Sequence, residues 1–252
     1  MTLSYRQPVR MEWNLGSSYS AQLMTKLLQL SPRSFTYKTI KAGQQLYREG
    51  TPCSALYCVT SGTVKLRKTS HDGRSLLLTI AGPGELIGEP RTFSDISGSA
   101  TFHRSSAMAV VDTIVAVLYH NDFEQLISQD CEAAYLFGKT MANKRLIAES
   151  KLRDLLNVPK LSALASCLIR LGNSFGVTSA TGIKIDVKLT HTELGEMIGA
   201  TRESVNRLLA TLREQDTIGA SRGLIVIESP QELRKLAGCP ECPACADEVC
   251  QI

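Results

Sequence analysis

Residues 190–215 read THTELGEMIGATRESVNRLLATLREQ, and this stretch predicts two short helices joined by a tight turn. Thr190 followed three positions later by Glu193 is a capping box, which marks the start of the first helix. Gly199 suits the left-handed residue that often ends a helix. Thr201 can then cap a second helix through its hydroxyl oxygen. Two helices joined in this way are typical of the helix-turn-helix motif.

The second helix has one apolar and one polar face. Four apolar residues between Val205 and Leu212 recur at the period of an amphipathic helix. If such a helix enters the DNA major groove, arginine can pair with guanine, glutamate with cytosine and asparagine with adenine. An ordinary helical hairpin with a solvated polar face is the alternative. We expect DNA binding through Arg202, Glu203, Ser204, Asn206 and Arg207.

The sequence after this helix predicts a small β-wing. Ile218 precedes a turn at 221–223, and the apolar run 224–227 follows it. Residues 201–207, TRESVNR, closely resemble the recognition helix of the CRP/FNR family of bacterial transcription regulators. The resemblance implies a homodimer that acts with RNA polymerase and binds a palindromic, TGTGA-like site in double-stranded DNA. It further implies that Arg207 contacts guanine and Glu203 contacts cytosine.

Composition limits the classes of function. The chain has 252 residues and a formal net charge of +4, so DNA binding would depend on where charges lie rather than on bulk basicity. It contains neither an apolar run long enough to span a membrane nor a secretory signal. We therefore expect a cytoplasmic protein with no membrane partner. No nucleophilic triad or pair of carboxylates is recognisable, so an enzyme is not expected.

Many short alternating segments separated by turns predict an antiparallel β-roll over about residues 33–120. Pieces of it resemble the sensor domain of the same family. In members that bind cyclic nucleotides, a Gly-Glu and a later Arg-Ser hold the ligand. Gly88, Glu89, Arg104 and Ser105 match these positions, although a longer Ser/Gly-rich stretch separates the pairs. A roll that kept its fold and lost its ligand is the favoured interpretation; a nucleotide pocket is the alternative.

Residues 121–156 predict a short helix and then a long one. Five apolar residues of the long helix recur at spacings near 3.5, which favours a coiled-coil-like dimer seam interrupted by Lys144. A helix packed on its own β-roll is the alternative. A hinge at 157–159 is expected, because the residue before a proline disfavours helix. The predicted seam comprises Phe137, Met141, Ala148, Leu152 and Leu155.

Four cysteines lie close together in the tail, at 239, 242, 245 and 250. The spacing C-x2-C-x2-C-x4-C is close to compact iron–sulfur motifs, and four thiolates could instead bind zinc. A redox-active thiol pair is a third possibility. The remaining cysteines are interpreted as small buried hydrophobes; they are Cys53, Cys58, Cys131 and Cys167.

From about residue 149 onward, the sequence resembles the Fnr regulators of Gram-positive bacilli. The segments ESKLRDLL (149–156) and IRLGNSFGV (169–177) carry this resemblance, together with the tail. It implies a [4Fe-4S] cluster held by Cys242, Cys245, Cys250 and Asp154, with Cys239 spare. A cluster that senses oxygen or redox state and locks the DNA-binding domain is the resulting hypothesis.

The sequence thus predicts an α+β protein with five parts. These are an N-terminal arm (1–32), a β-roll sensor domain (33–120), a dimerisation helix region (121–156), a winged helix-turn-helix domain (157–230) and a cysteine-rich tail (231–252). A cyclic-nucleotide-responsive regulator with a structural zinc tail is the second hypothesis. An electron carrier or redox enzyme is the third, but such a protein has no use for a recognition helix.

Overall fold

The structure is a computed structural model that describes residues 18–91, 101–239 and 250–252. Its N-terminal part is a β-roll of two facing antiparallel sheets. The strands are β1 (Phe35–Ile40), β2 (Gln45–Tyr47), β3 (Ala55–Ser61), β4 (Val64–Thr69), β5 (Ser75–Ala81), β6 (Leu86–Ile87), β7 (Ser106–Ala109) and β8 (Thr113–Tyr119). One sheet has the order β1-β8-β3-β6 and the other β2-β7-β4-β5. Alternate apolar residues of both sheets fill the space between them.

Three helices pack beside the first sheet: α1 (Tyr19–Leu30), α2 (His120–Gln129) and α3 (Cys131–Leu156). The short helix followed by a long one agrees with the prediction. Helix α1 lies within the segment assigned to an arm, where we predicted no structure. The Ser18 hydroxyl caps it by accepting from the Ala21 amide at 3.2 Å. Its fully buried Leu23, Met24 and Leu27 have helical spacing, a signal that could have revealed it.

The C-terminal part is a winged helix domain, which begins directly after the hinge predicted at 157–159. Its elements are α4 (Lys160–Phe175), β9 (Gly176–Ser179), β10 (Gly182–Ile185), α5 (His191–Ile198), α6 (Arg202–Glu214), β11 (Ile218–Ser221), β12 (Leu224–Ile227) and α7 (Pro230–Ala237). The wing strands β11 and β12 pair with β10 and β9 in one sheet. The hairpin of β9 and β10 was not predicted, because its strands are short and partly exposed.

The two halves of α3 lie in different environments: the first half contacts the β-roll and the second half carries exposed apolar side chains. Phe137 meets Phe123 edge-on at 5.1 Å, so this part of the helix covers its own β-roll, as the alternative interpretation held. Lys144, which interrupts the seam, donates to the Leu86 carbonyl of the roll. Burial lowers the pKa of Lys144. Farther along, Leu146, Leu152 and Leu156 are 47%, 55% and 71% exposed. The exposed aliphatic side chains of α3 therefore lie on its second half.

The two domains share one apolar core. Leu77 and Ile80 of β5 belong to the same buried cluster as Leu164, Leu194 and Leu209 of the winged helix domain. Among the described residues, no helix is both long and apolar enough to cross a membrane. Cys58 and Cys167 are buried as expected, whereas Cys131 is exposed because it begins α3.

Candidate functional site

The helix-turn-helix is formed by the predicted residues. The Thr190 hydroxyl accepts from the Glu193 amide at 3.2 Å, and the Glu193 carboxylate accepts from the Thr190 amide at 2.9 Å. Gly199 ends α5 in the left-handed conformation at φ +63°. The Thr201 hydroxyl then accepts from the Ser204 amide at 3.2 Å and starts α6. These caps determine the angle at which α6 leaves the turn.

Helix α6 turns its apolar face to the core and its polar face to solvent. Val205, Leu209 and Leu212 are fully buried. Four of the five residues predicted to contact DNA are exposed and the fifth, Ser204, is half-buried. Hydrogen bonds from its own backbone amide and from Thr201 lower the pKa of Glu203, as do nearby arginines. A carboxylate that stays ionised can accept from a cytosine amine.

A group of ion pairs joins the β-roll to the first helix of the motif. The Lys65 ammonium and the Arg67 guanidinium of β4 both donate to Glu193 Oε1, at 2.8 and 2.6 Å. Arg67 also donates to Glu196 at 3.0 Å. Burial would raise the pKa of Glu193, but bonds from Lys65 and the Thr190 amide outweigh it and lower the pKa. Sequence reasoning missed this contact, because the alternating pattern of β4 gives no sign of its partner.

Asp154 is buried where α3 packs against α4. Its Oδ2 accepts from the Ser166 hydroxyl at 2.5 Å and from the Arg170 guanidinium at 2.9 Å. Its Oδ1 accepts from Arg153 at 2.8 Å. The two carboxylate oxygens of Asp154 therefore differ in their surroundings. Buried side chains hold Oδ2, whereas Oδ1 pairs with a guanidinium that is partly exposed.

The end of the chain returns to the same region. The Asn173 side chain donates to the Cys250 carbonyl at 2.9 Å, and the Ile252 amide donates to the Ser174 hydroxyl at 3.1 Å. Ile252 lines a small cavity together with Asp154. Cys239 packs against the core of the winged helix domain, after α7. Cys242 and Cys245 lie outside the described residues.

The four residues matched to a nucleotide pocket lie together in the β-roll. Gly88 has φ +99°, a conformation that favours glycine, and directs the chain into Glu89. Glu89 Oε1 accepts from the Arg104 amide and Oε2 contacts His103 Nδ1, both at 3.0 Å. Glu89, Arg104 and Ser105 border a cavity of about 570 Å³ between the roll and α3. Most of its lining is aliphatic.

Family models match both domains of the chain. The cyclic nucleotide-binding domain matches residues 37–130, and the Crp-like helix-turn-helix domain matches residues 162–236. The anaerobic regulatory protein of Bacillus subtilis is 33% identical over 236 residues, 93% of this chain and 96% of that protein. A CRP-like cAMP-activated global transcriptional regulator of Mycobacterium tuberculosis is 27% identical, over 83% of this chain and 89% of that protein.

Solved structures agree on the fold. FixK2 from Bradyrhizobium japonicum superimposes with a TM-score of 0.68 at 24% identity, covering 80% of this chain and 96% of that chain. A CRP/FNR family transcriptional regulator from Thermus thermophilus reaches 0.66 at 22% identity, covering 81% of this chain and 98% of that one. The relatives are regulators rather than enzymes. With its β-roll, long helix and winged helix-turn-helix, the chain belongs to the CRP/FNR family of DNA-binding transcription regulators.

Proposed function

We propose that the protein is a dimeric regulator that senses oxygen or redox state through a [4Fe-4S] cluster. Cys242, Cys245, Cys250 and Asp154 would hold the cluster, and its presence would favour tight binding to a palindromic, TGTGA-like DNA site. RNA polymerase would be the partner at promoters. The likeness to an anaerobic regulatory protein supports this class of signal.

The return of the chain end towards Asp154 carries the proposal. Bonds from Asn173 and Ser174 hold Cys250 and Ile252 near the end of α4, and Ile252 borders the cavity that Asp154 also lines. Cys250, 96 positions after Asp154 in the sequence, is thereby held by the helix that also binds Asp154 through Ser166 and Arg170. Cys239 packs against apolar side chains instead, which supports its assignment as spare.

The surroundings of Asp154 fit a metal ligand. Ser166 and Arg170 orient the carboxylate through Oδ2, as outer partners of metal ligands commonly do. Oδ1 becomes available if Arg153 turns away, which its partial exposure allows. Lys151 and Cys167 line the same cavity, and burial lowers the pKa of Lys151 to about 8. The cationic groups beside Asp154 suit a cluster whose ligands are all anionic.

The mechanism follows from where these residues lie. Asp154 is on α3, before the hinge, while the tail cysteines follow the winged helix domain. When bound, the cluster supplies a bond between these two parts that oxygen can break. Carboxylate is a harder ligand than thiolate and should hold iron less firmly. Arg153, Ser166 and Arg170 would keep Asp154 paired when the bond is lost, so the released state remains folded with the DNA-binding domain freer to reorient.

The test compares Asp154→Ala with Cys239→Ser, both purified without air. Iron and sulfide content, visible absorption and affinity for a palindromic site would be measured. We expect Asp154→Ala to lose or destabilise the cluster and to lose tight DNA binding, whereas Cys239→Ser keeps both. The reverse pattern would mean an all-cysteine site, and the proposed locking of the hinge would be wrong.

Asp154→Cys separates ligation from folding. Alanine at this position leaves the Arg170 guanidinium without its buried carboxylate, which could itself damage the fold. A thiolate can replace the carboxylate as an iron ligand. We therefore expect Asp154→Cys to keep its iron and to bleach more slowly in air than the wild type. Iron loss as complete as in Asp154→Ala, in a variant with unchanged circular dichroism, would contradict the ligand role.

The β-roll cavity favours a second candidate, a cyclic-nucleotide-responsive regulator. A relative named as cAMP-activated supports it, and Arg104 and Ser105 could anchor a phosphate. Two observations weigh against it. Both oxygens of Glu89 are engaged, and the ammonium groups of Lys144 and Lys151 donate to the Leu86 and Leu78 carbonyls across the cavity. Calorimetric titration with cAMP tests whether the β-roll binds a cyclic nucleotide. Heat of binding in the wild type but not in Arg104→Ala would support this candidate.

A further inference from the structure

Three side chains that can bind metal meet inside the β-roll, far from the cysteine tail in sequence. One ligand atom from each of Cys53, Glu89 and His103 lies within 4.8 Å of the other two. Cys53 and His103 are buried and Glu89 is half-buried. Sequence analysis interpreted Cys53 as a small hydrophobe and did not single out His103.

Backbone pairing holds these residues together. The Cys53 amide donates to the Thr101 carbonyl at 2.8 Å, and the His103 amide donates to the Thr51 carbonyl at 2.9 Å. Glu89 enters from the end of β6, where the Arg104 amide binds one of its oxygens. The ring of Tyr47 stacks on the imidazole of His103 with centroids 3.7 Å apart. Cys53 and His103 are thus positioned by the pairing of segments 51–53 and 101–103, and Glu89 is positioned by the amide that follows His103.

His120 borders the cluster as a fourth group. Its Nε2 lies 3.9 Å from the Cys53 sulfur and 2.9 Å from the Glu89 carbonyl oxygen. The hydrogen bond to that carbonyl occupies this nitrogen, so His120 serves as a neighbour that orients Cys53 and Glu89. A solvent molecule can complete a four-coordinate site, since Glu89 is partly open to water.

We propose that Cys53, Glu89 and His103 form a binding site for a zinc-like divalent cation within the β-roll. The donor set of one thiolate, one carboxylate and one imidazole is the mixture that Zn²⁺ accepts. Tetrahedral zinc with bonds of about 2.0–2.3 Å places its ligand atoms roughly 3.3–3.6 Å apart. Glu89 Oε2 and His103 Nδ1 are 3.0 Å apart, and all three ligand atoms lie within 4.8 Å of one another, so shifts of about 1 Å would reach this spacing.

Metal binding would replace an ion pair that the protein already contains. Burial would lower the pKa of His103, but hydrogen bonds to Cys53 and Glu89 outweigh it and raise the pKa to about 9. Metal ligands must be deprotonated, so metal binding releases protons to solvent and the affinity falls as pH falls. The bound cation would replace His103 as the charged partner of Glu89. Glu89 is also the carboxylate matched to nucleotide binding. The site is independent of the proposed iron–sulfur cluster.

The experiment uses the full-length chain carrying Cys242→Ser and Cys245→Ser, so that the tail cannot hold a metal through its cysteines. Co²⁺ would serve as a coloured probe of the site and Zn²⁺ would then displace it. We expect one Co²⁺ per protomer, with a thiolate-to-metal absorption band, and colour loss when one equivalent of Zn²⁺ is added. Absence of any stoichiometric binding in this variant would overturn the proposal.

Substitutions in the same background assign the ligands. Cys53→Ser should abolish the thiolate band, and His103→Gln should weaken binding at least 100-fold. His120→Gln, which removes only an outer partner, should weaken it about 10- to 100-fold. Cys58→Ala is the matched control, because Cys58 is a second buried cysteine of the β-roll, in β3, and is not a member of the group of three ligands. If Cys53→Ser fails to fold, Glu89→Gln replaces it; an unchanged spectrum in either folded variant would place the metal elsewhere.

Discussion

At the scale of single residues, we propose that the exposed stripe of α6 provides the sequence specificity of DNA binding. Arg207 lies one turn after Glu203, and both project from the surface opposite the buried Val205 and Leu209. A bidentate contact to guanine is worth about 1–3 kcal/mol of discrimination against a wrong base. A contact to phosphate adds affinity without discrimination. The two kinds of contact can therefore be told apart by comparing DNA sequences.

We expect Arg207→Ala to lose about 1–3 kcal/mol of binding to a TGTGA-like palindrome and to relax preference at the contacted guanine. Fluorescence anisotropy with the palindrome, a guanine-substituted variant and random DNA measures this. Arg213→Ala is the control, since Arg213 is an exposed arginine in the last turn of the same helix, away from the end that reaches base edges. An unchanged preference in Arg207→Ala would remove Arg207 from base recognition.

At the scale of elements, α3 has two roles along its length. Its first half covers the β-roll through Phe137, and its second half presents Leu146, Leu152 and Leu156 to solvent. CRP/FNR regulators act as dimers, and exposed apolar side chains on a long helix form a surface that a second copy can cover. The predicted seam included Phe137, which faces its own domain. That a second copy covers α3 stays a prediction.

Charge on the exposed part of α3 should separate the protomers. We expect Leu146→Glu and Leu152→Glu to be monomeric at micromolar concentration, because each places charge in an apolar interface without a partner. Sedimentation velocity gives the mass. Phe137→Ala is the comparison, because loss of this partly buried aromatic should lower stability by up to about 3–5 kcal/mol and leave the folded fraction dimeric. Dimers in both glutamate variants would exclude this surface.

At the scale of the whole molecule, the β-roll and the winged helix domain are coupled through Glu193. This residue caps α5 and also neutralises the buried Lys65 of β4. Glutamine retains the capping box, so Glu193→Gln isolates the charge. We expect it to lower stability by about 3–5 kcal/mol, since it leaves Lys65 buried without a partner of opposite charge. Chemical denaturation measures this.

Glu196→Gln is the control for that variant. It removes one ion pair of Arg67, which keeps its bond to Glu193, and should cost no more than about 1 kcal/mol. The dependence of stability on pH gives a second measure of the contribution of the Glu193 charge. Because the pKa of Glu193 is lowered in the folded protein, its contribution is present above the ordinary value of 4.5 and is lost as pH falls through the folded-state pKa. The stability difference between wild type and Glu193→Gln should shrink over that range; a constant difference would contradict the role of the charge.

The sequence by itself determined the local structure of this protein and much of its family identity. The caps at Thr190, Gly199 and Thr201 and the amphipathic period of α6 are short-range signals, and the structure confirms each of them. The break between α3 and α4 before Pro159 is likewise local, because proline restricts the residue that precedes it. The β-roll was predicted from alternation and turns, which are also properties of neighbouring residues.

Only the tertiary structure decided which distant residues meet. The contact of Lys65 with Glu193 spans 128 positions, and the bond between Asn173 and Cys250 spans 77. Cys53, Glu89 and His103 come together because strands pair across the roll, which no spacing in the sequence reveals. The face of α3 left to solvent depended on α1, a helix that was not predicted. Periodicity reports that a face is apolar, but what covers that face is determined by packing between elements far apart in the chain.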